Sequence, residues 1–189
     1  VVTIPEWLSS TVASDATGGE GVLGEQIRPI SPARTAVGPA LVVELSRNDN
    51  LAMKEVPAAV PAPGTVLVVG GAAGSRTAVL GDLVARELLA AGVIAVVTDG
   101  PIRDSQAVAE LGLAVWAKGT TPTASAKNGP GRVGGEVDIA GVRVNDGDLV
   151  VADADGVVVW PAAQLDALVD KAQAKQRADE QRLAALTKG

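Results

Sequence analysis

The chain has 189 residues, enough for one domain with an ordinary core, and 16 Lys and Arg against 22 Asp and Glu give it a formal charge of −6. It contains no His, Cys, Tyr or Phe, which excludes Ser-His-Asp and Cys-His nucleophile systems, His/Cys zinc sites and disulfides. Chemistry must therefore come from carboxylates, Arg, Lys, hydroxyls, amides, backbone groups or a bound ion, and carboxylate oxygens suit a hard cation such as Mg²⁺ or Mn²⁺.

An acidic chain without a basic stripe, with Trp7, Trp116 and Trp160 as its aromatics, offers neither the charge nor the stacking platform of a nucleic-acid binder. The most apolar stretch, Leu83 to Val97, is interrupted by Arg86 and Glu87, so no membrane span is expected. The beginning of the chain lacks the basic-then-apolar pattern of a secretory leader. With no Cys, a cytoplasmic protein is expected.

Ser9, Ser10 and Thr11 are placed to cap a short helix that Gly18-Gly19 would stop. Ile27 to Pro32, with two prolines, reads as a connection, and Gly38 to Leu45 reads as a strand that ends at the polar turn Ser46 to Asn50. Ala58 to Gly64 is Pro-rich and reads as a rigid loop. Thr65 to Gly71 is a short continuous apolar run, as in a buried strand.

Ala78 to Ala91 carries apolar residues at helical spacing and is stopped by Gly92, although Gly81 argues that the helix begins near it. Val93 to Thr98 is a second buried strand, which completes a βαβ unit with a right-handed crossover. Ser105 to Leu111 reads as a short helix and Ala114 to Ala117 as a short strand.

After Gly131 the pattern changes to an antiparallel region: Glu136–Ile139, Val142–Val144, Leu149–Ala152 and Val157–Trp160. Asn145 to Asp148 and Asp153 to Gly156 are its turns. Pro161 opens a long, charged helix to about Leu186. The expected organisation is one α/β domain over 1–189: an N-terminal helix and strand region (1–60), an α/β core (61–160) and a C-terminal helix (161–187).

Several residues stand where chemistry could be built. The Gly-rich turn Gly70 to Ser75 lies between a strand and a helix, where free amides can hold an anion, and Asp99 ends the next strand. It lacks both the GxGxxG and the P-loop patterns, so a tight structural turn is favoured over a nucleotide site. Asp82, early in its helix, is either an N-cap or a functional acid. Arg103-Asp104 follows the second parallel strand, where sites of α/β sheets form. The pair is either a local ion pair or a division of labour, with Asp104 on a divalent cation and Arg103 on a carboxylate or keto oxygen. Asp153-Ala154-Asp155-Gly156 fails the spacing of a calcium loop and reads as a hairpin turn. Lys118 reads as a structural lysine rather than a Schiff-base former.

Twenty residues separate Asp82 from Arg103, and Asp104 follows directly. This Asp-x₂₀-Arg-Asp arrangement resembles the RraA-like family. That family holds the 4-hydroxy-4-methyl-2-oxoglutarate / 4-carboxy-4-hydroxy-2-oxoadipate aldolases and the regulators of ribonuclease activity A. The likeness extends to Leu8–Asp15, Arg28-Pro29, Val37–Ala40, Gly92–Asp104, Gly141–Val144, Gly147-Asp148 and Ala152–Val157, nearly the whole chain.

The resemblance implies a β/β/α swivelling-domain-like sandwich, with a βαβ core, antiparallel strands and a C-terminal helix, assembled as a homotrimer or hexamer. It implies that the helix start at Gly81, Asp82, Leu83 and Val84 receives a pyruvyl carboxylate. Arg103 would bind the pyruvyl group, Asp104 would hold Mg²⁺ or Mn²⁺, and Asp82 would assist proton transfer. The aldolases of the family also use acidic residues of the C-terminal helix across the subunit interface, so Asp179 and Glu180 are either such residues or part of a solvated charged face. The expected function is class II retro-aldol cleavage of a small 4-hydroxy-2-oxo acid to pyruvate, with oxaloacetate decarboxylation through the same enolate. The alternative is a non-enzymatic regulator that binds a ribonuclease.

Overall fold

The structure is a computed structural model in which residues 3–30 and 34–186 are described. It begins with helix α1 (Ser10–Thr17), capped by the Ser9 side chain, which accepts from Val12 N, and closed by Gly18 in the left-handed region. Strand β1 (Arg28–Pro29) follows, then the long strand β2 (Ala36–Leu45) and the short helix α2 (Val56–Ala59). The central unit is β3 (Thr65–Gly70), α3 (Asp82–Ala90), β4 (Val93–Thr98), β5 (Pro101–Ile102), α4 (Ser105–Leu111), β6 (Ala114–Ala117) and β7 (Gly119–Thr120). The chain continues through β8 (Gly131–Val133), β9 (Glu136–Ile139), β10 (Val142–Asn145), β11 (Leu149–Ala152) and β12 (Val157–Trp160), and ends in α5 (Leu165–Leu186).

One mixed sheet carries the fold, in the order β1-β6-β4-β3-β2-β11-β12, with β8 also paired to β2. Strands β2, β3, β4 and β6 are parallel neighbours, and β1, β8, β11 and β12 join antiparallel. All six residues of β3 are buried, as a parallel strand covered on both faces requires. Its alternate side chains feed two cores. Leu67 and Val69 join Leu41, Val43, Val96 and Val115 beneath Ala85 and Leu88 of α3. Val66 and Val68 join Val42, Val97 and Trp116 beneath Val137, Ile139 and Val144 of the β9–β10 hairpin. A third cluster packs α1 and the first half of α5 on Leu149, Val151, Val158 and Trp160. Each fully buried Val or Leu contributes about 1.5–3 kcal/mol, so β3 and its neighbours are the main store of stability.

Most expected elements fall where the sequence puts them, and the departures have physical reasons. Helix α3 starts at Asp82, not at Ala78, because Ala78 and Val79 spend their amides on Thr123 O and Pro101 O at 2.9 Å each. The connection expected over Ile27 to Pro32 contains β1, because Arg28 and Pro29 pair with Ala117 and Trp116. Pro32 itself lies outside the described residues, as does residue 187 at the expected end of the last helix. The Pro-rich loop begins inside α2. The antiparallel region divides: β9 and β10 form a separate hairpin, whereas β11 and β12 extend the main sheet. No helix among the described residues is long and apolar enough to cross a membrane.

The parallel strands β2, β3, β4 and β6 all end on one edge, which gathers the loops 46–50, 71–81, 99–104 and 118–130 there. On the far side, Trp160 is fully buried and donates its indole N–H to Ala13 O at 3.1 Å, tying the last strand to α1. Trp160→Phe is expected to cost about 1–3 kcal/mol through the lost hydrogen bond and the void. Urea unfolding should show a lower midpoint at unchanged slope.

Candidate functional site

Two backbone hydrogen bonds build the edge site. Val79 N donates to Pro101 O at 2.9 Å and Arg103 N donates to Leu80 O at 3.0 Å, so the start of α3 and the start of α4 lie side by side. Between them sits Gly81, in extended backbone at the N-cap of α3. A Cβ on Gly81 would stand 2.5 Å from Asp104 Oδ2 and 2.9 Å from both Cγ and Nε of Arg103. Glycine there is a requirement of close approach. Asp82 is the first helical residue and not the cap, and its amide donates a long hydrogen bond, 3.4 Å, to Asp104 Oδ2.

Arg103 Nε also lies 3.4 Å from Asp104 Oδ2, with the two side chains 38% and 41% exposed. An ion pair this exposed contributes little to stability. Asp104 meanwhile adopts left-handed backbone, φ 53° and ψ 35°, a conformation that is unfavourable for most L residues. Aspartate is among the few non-glycine residues that enter this region, so the conformation suits the residue that stands there. Sequence reasoning allowed an ion pair or a functional pair; the geometry shows the ion pair.

The donor set also bears on a cation. Among the described residues no three acidic side chains converge as a ready-made cage. Asp104 offers one half-exposed carboxylate, which suits Mg²⁺ or Mn²⁺ held by one or two protein oxygens with water and substrate supplying the rest.

Arg103 borders two recesses. One is a cleft of about 100 Å³ between the start of α3 and the 124–127 segment, reached by Asn50, Gly81, Leu83, Val84 and Lys127. The other, wider and more open, is lined by Asp104, Ser105, Glu110 and Thr121. Asn50 and Lys127 are residues that the sequence reading missed, because each stands in a loop without a motif. Their placement comes from Asp49, 7% exposed, whose carboxylate accepts from Leu51 N, Asn128 N and Gly129 N at 2.8 Å each. Those amides hold its pKa below the usual carboxylate value against the effect of burial. Asn48, with φ 61°, adds an Oδ1 that accepts from Arg76 N. The only available signal in the sequence is the run Asn48-Asp49-Asn50, which reads as an ordinary turn.

Other candidates resolve as architecture. Asp99 is buried and accepts from Ala72 N at 2.9 Å, so a carboxylate of the chain itself occupies the Gly-rich turn where an outside anion was considered. Burial pushes its pKa up, while the turn amides of Ala72, Gly71 and Ala73 work in the opposite direction. Lys118 donates to Ala73 O. Asp153 accepts from Ser10 N and Oγ and from Asp155 N, making the expected hairpin turn a dock for α1. Asp179 is paired with Lys175 at 2.7 Å and Glu180 accepts from Gln176, both on exposed α5. Nothing within one protomer brings them to the edge site.

These features belong to a known family. The sequence matches the RraA-like family, described as Aldolase/RraA, over residues 10–159, and the chain is a member of it. A relative from Halalkalibacterium halodurans, provisionally named a 4-hydroxy-4-methyl-2-oxoglutarate aldolase, is 36% identical over 98% of this chain and 86% of its own length. An uncharacterised Pseudomonas syringae protein of solved structure superposes with a TM-score of 0.85 at 25% identity, covering 100% of this chain and 95% of that one. A Streptomyces coelicolor structure, described as an unusual member of the RNase ES inhibitor RraA family, gives 0.80 at 32% identity over 94% and 93%.

The Asp49 clamp makes a pH prediction. A carboxyl whose pKa is lowered in the folded state contributes stability above its unfolded value, and that contribution is lost as pH falls through its folded pKa. Asp49→Asn should therefore be less stable than wild type at neutral pH, with a shallower loss on acidification. Thermal melts from pH 7 down to the acid limb measure the convergence.

Proposed function

We propose that this protein is a class II lyase that releases pyruvate from a 4-hydroxy-2-oxo acid and decarboxylates oxaloacetate at the same site. The observation that carries this reading is the meeting of Arg103 Nε, Asp104 Oδ2 and the Asp82 amide over the missing side chain of Gly81. The provisional aldolase name of the relative supports the substrate class.

The α3 start leaves the amides of Asp82, Leu83 and Val84 without intrahelical partners; those of Leu83 and Val84 receive the C1 carboxylate of the substrate, and Asp82 N joins them by giving up its long bond to Asp104 Oδ2. Arg103 holds the C2 oxygen, where negative charge develops when the C3–C4 bond breaks. The carboxylate of Asp82 takes the C4 hydroxyl proton, directly or through water, as the C4 carbon becomes a carbonyl. Protonation at C3 then yields pyruvate. With oxaloacetate the same C3–C4 cleavage releases CO₂ and calls on no C4 hydroxyl. Asp104 would hold Mg²⁺ or Mn²⁺, which when bound supplies Lewis-acid stabilisation of the developing charge. Asp179 and Glu180 would reach the site of a neighbouring subunit in a homotrimer or hexamer.

A second reading, a regulator that binds a ribonuclease, draws on the RraA description of the Streptomyces relative. The two readings part in one assay. Pyruvate release coupled to lactate dehydrogenase, with Mg²⁺ and either oxaloacetate or 4-hydroxy-4-methyl-2-oxoglutarate, should show turnover that Asp104→Ala lowers at least about 100-fold. Chelation should abolish it and Mg²⁺ restore it. Wild type no faster than Asp104→Ala overturns the lyase reading, and ribonuclease binding that Asp104→Ala leaves intact favours the regulator.

Gly81→Ala provides a separate check. Its backbone suits any residue, so the melting temperature should stay within about 3 °C of wild type. The new methyl displaces Arg103 and Asp104, and pyruvate release should fall at least about tenfold.

A further inference from the structure

We propose that Asn50 reads the hydroxyl of the ligand, making this cleft selective for hydroxy acids over acids of the same size and charge that lack the hydroxyl. The proposal rests on the lyase reading for the identity of the substrate, but its physical basis is independent of turnover.

Asn50 is 8% exposed and borders the cleft beside Arg103 and Lys127. Its Nδ2 donates to Val79 O at 2.9 Å, which fixes the orientation of the amide and makes the remaining atom, Oδ1, a pure acceptor. That Oδ1 is buried and has no hydrogen-bond partner; among the described residues it is the one buried side-chain polar atom in that condition. A desolvated, unpartnered acceptor is costly, and a donor that enters the cleft relieves that cost.

The surroundings define that ligand. The neighbouring hydroxyl cannot fill the gap, because Ser125 Oγ donates to Ala78 O at 2.8 Å. Nor can the amide easily turn away: Asn50 N donates to Ala126 O at 3.0 Å, and Asp49 clamps the facing loop. Arg103 and Lys127 make the cleft cationic, so the ligand is an acid. A carboxylate and a keto oxygen are both acceptors, and neither can satisfy Oδ1. The ligand must therefore bring an O–H as well as a carboxylate. A 4-hydroxy-2-oxo acid has both, its hydroxyl proton directed to Oδ1 on binding and turning to the Asp82 carboxylate as the C3–C4 bond breaks, whereas oxaloacetate in its keto form has no such donor.

Malate and succinate differ by one hydroxyl and provide the binding test. Calorimetry with Mg²⁺ present should find wild type binding malate about tenfold more tightly than succinate. Asn50→Ala should bring the two affinities to within about twofold. A general disturbance of the cleft lowers both alike, so the ratio isolates the hydroxyl contact. Equal binding by wild type, a preference that survives Asn50→Ala, or no binding of either acid overturns the proposal.

Kinetics give the second measurement. Because the contact is made on binding and given up as the proton leaves, Asn50→Ala should raise KM for 4-hydroxy-4-methyl-2-oxoglutarate about tenfold more than for oxaloacetate. Equal rises overturn the role of Asn50 and leave the lyase reading standing. If wild type turns over neither substrate, the lyase reading fails, and the malate-to-succinate ratio still decides the case for Asn50.

Discussion

The pairing of residues 79–80 with 101–103 is the constraint on which the edge site depends. Through it the loop after β3 and the loop after β4 become one surface, with Gly81 set against the Arg103-Asp104 step. The pairing delays the first turn of α3 by four residues relative to the apolar pattern, so that the free amides of the helix emerge beside Arg103 and not deep against the sheet. Each loop would be an ordinary connection alone. Pressed together, they concentrate a guanidinium, a carboxylate and helix amides in a volume that a single methyl group would disrupt.

The chain uses its carboxylates in two ways. Asp49, Asp99, Asp148 and Asp153 turn inward and bind backbone amides, doing for loops what regular pairing does for strands. Asp82 and Asp104 stand at the edge, with no such set of amides around them. The division explains how an acidic chain without His or Cys still has an organised site: one group of acids fixes the loops, and the other remains available. Lys127 and Asn50 reach their places through the first group, because the segment that carries Lys127 is fastened to Asp49.

What was legible in the sequence follows from the range of the interactions involved. The βαβ core, the final hairpin and both caps of α1 were readable because apolar runs, Gly stops and Ser caps act over a few residues. The arrangement of Asp82, Arg103 and Asp104 was readable through family likeness, and Gly81 betrayed the true start of its helix. The partition of the late strands was missed although it leaves a trace: β9–β10 alternate polar and apolar residues, whereas β11–β12 are continuous apolar runs buried throughout, as strands within the main sheet require. Asn50 was invisible because its partners come from residues 79 and 126. Asp99 looked like a ligand-binding acid until the fold brought the Gly-rich turn onto it.

The left-handed backbone at Asp104 sets the route by which this scaffold can drift. Glycine and asparagine accept that conformation as readily as aspartate, and neither carries a charge. A single base change can thus remove the Asp104 carboxylate while leaving the sheet, its three cores and the amide-bound loops untouched. Fold and charge are separable at this position, so a lineage that loses the carboxylate keeps an intact acidic surface open to selection for other work.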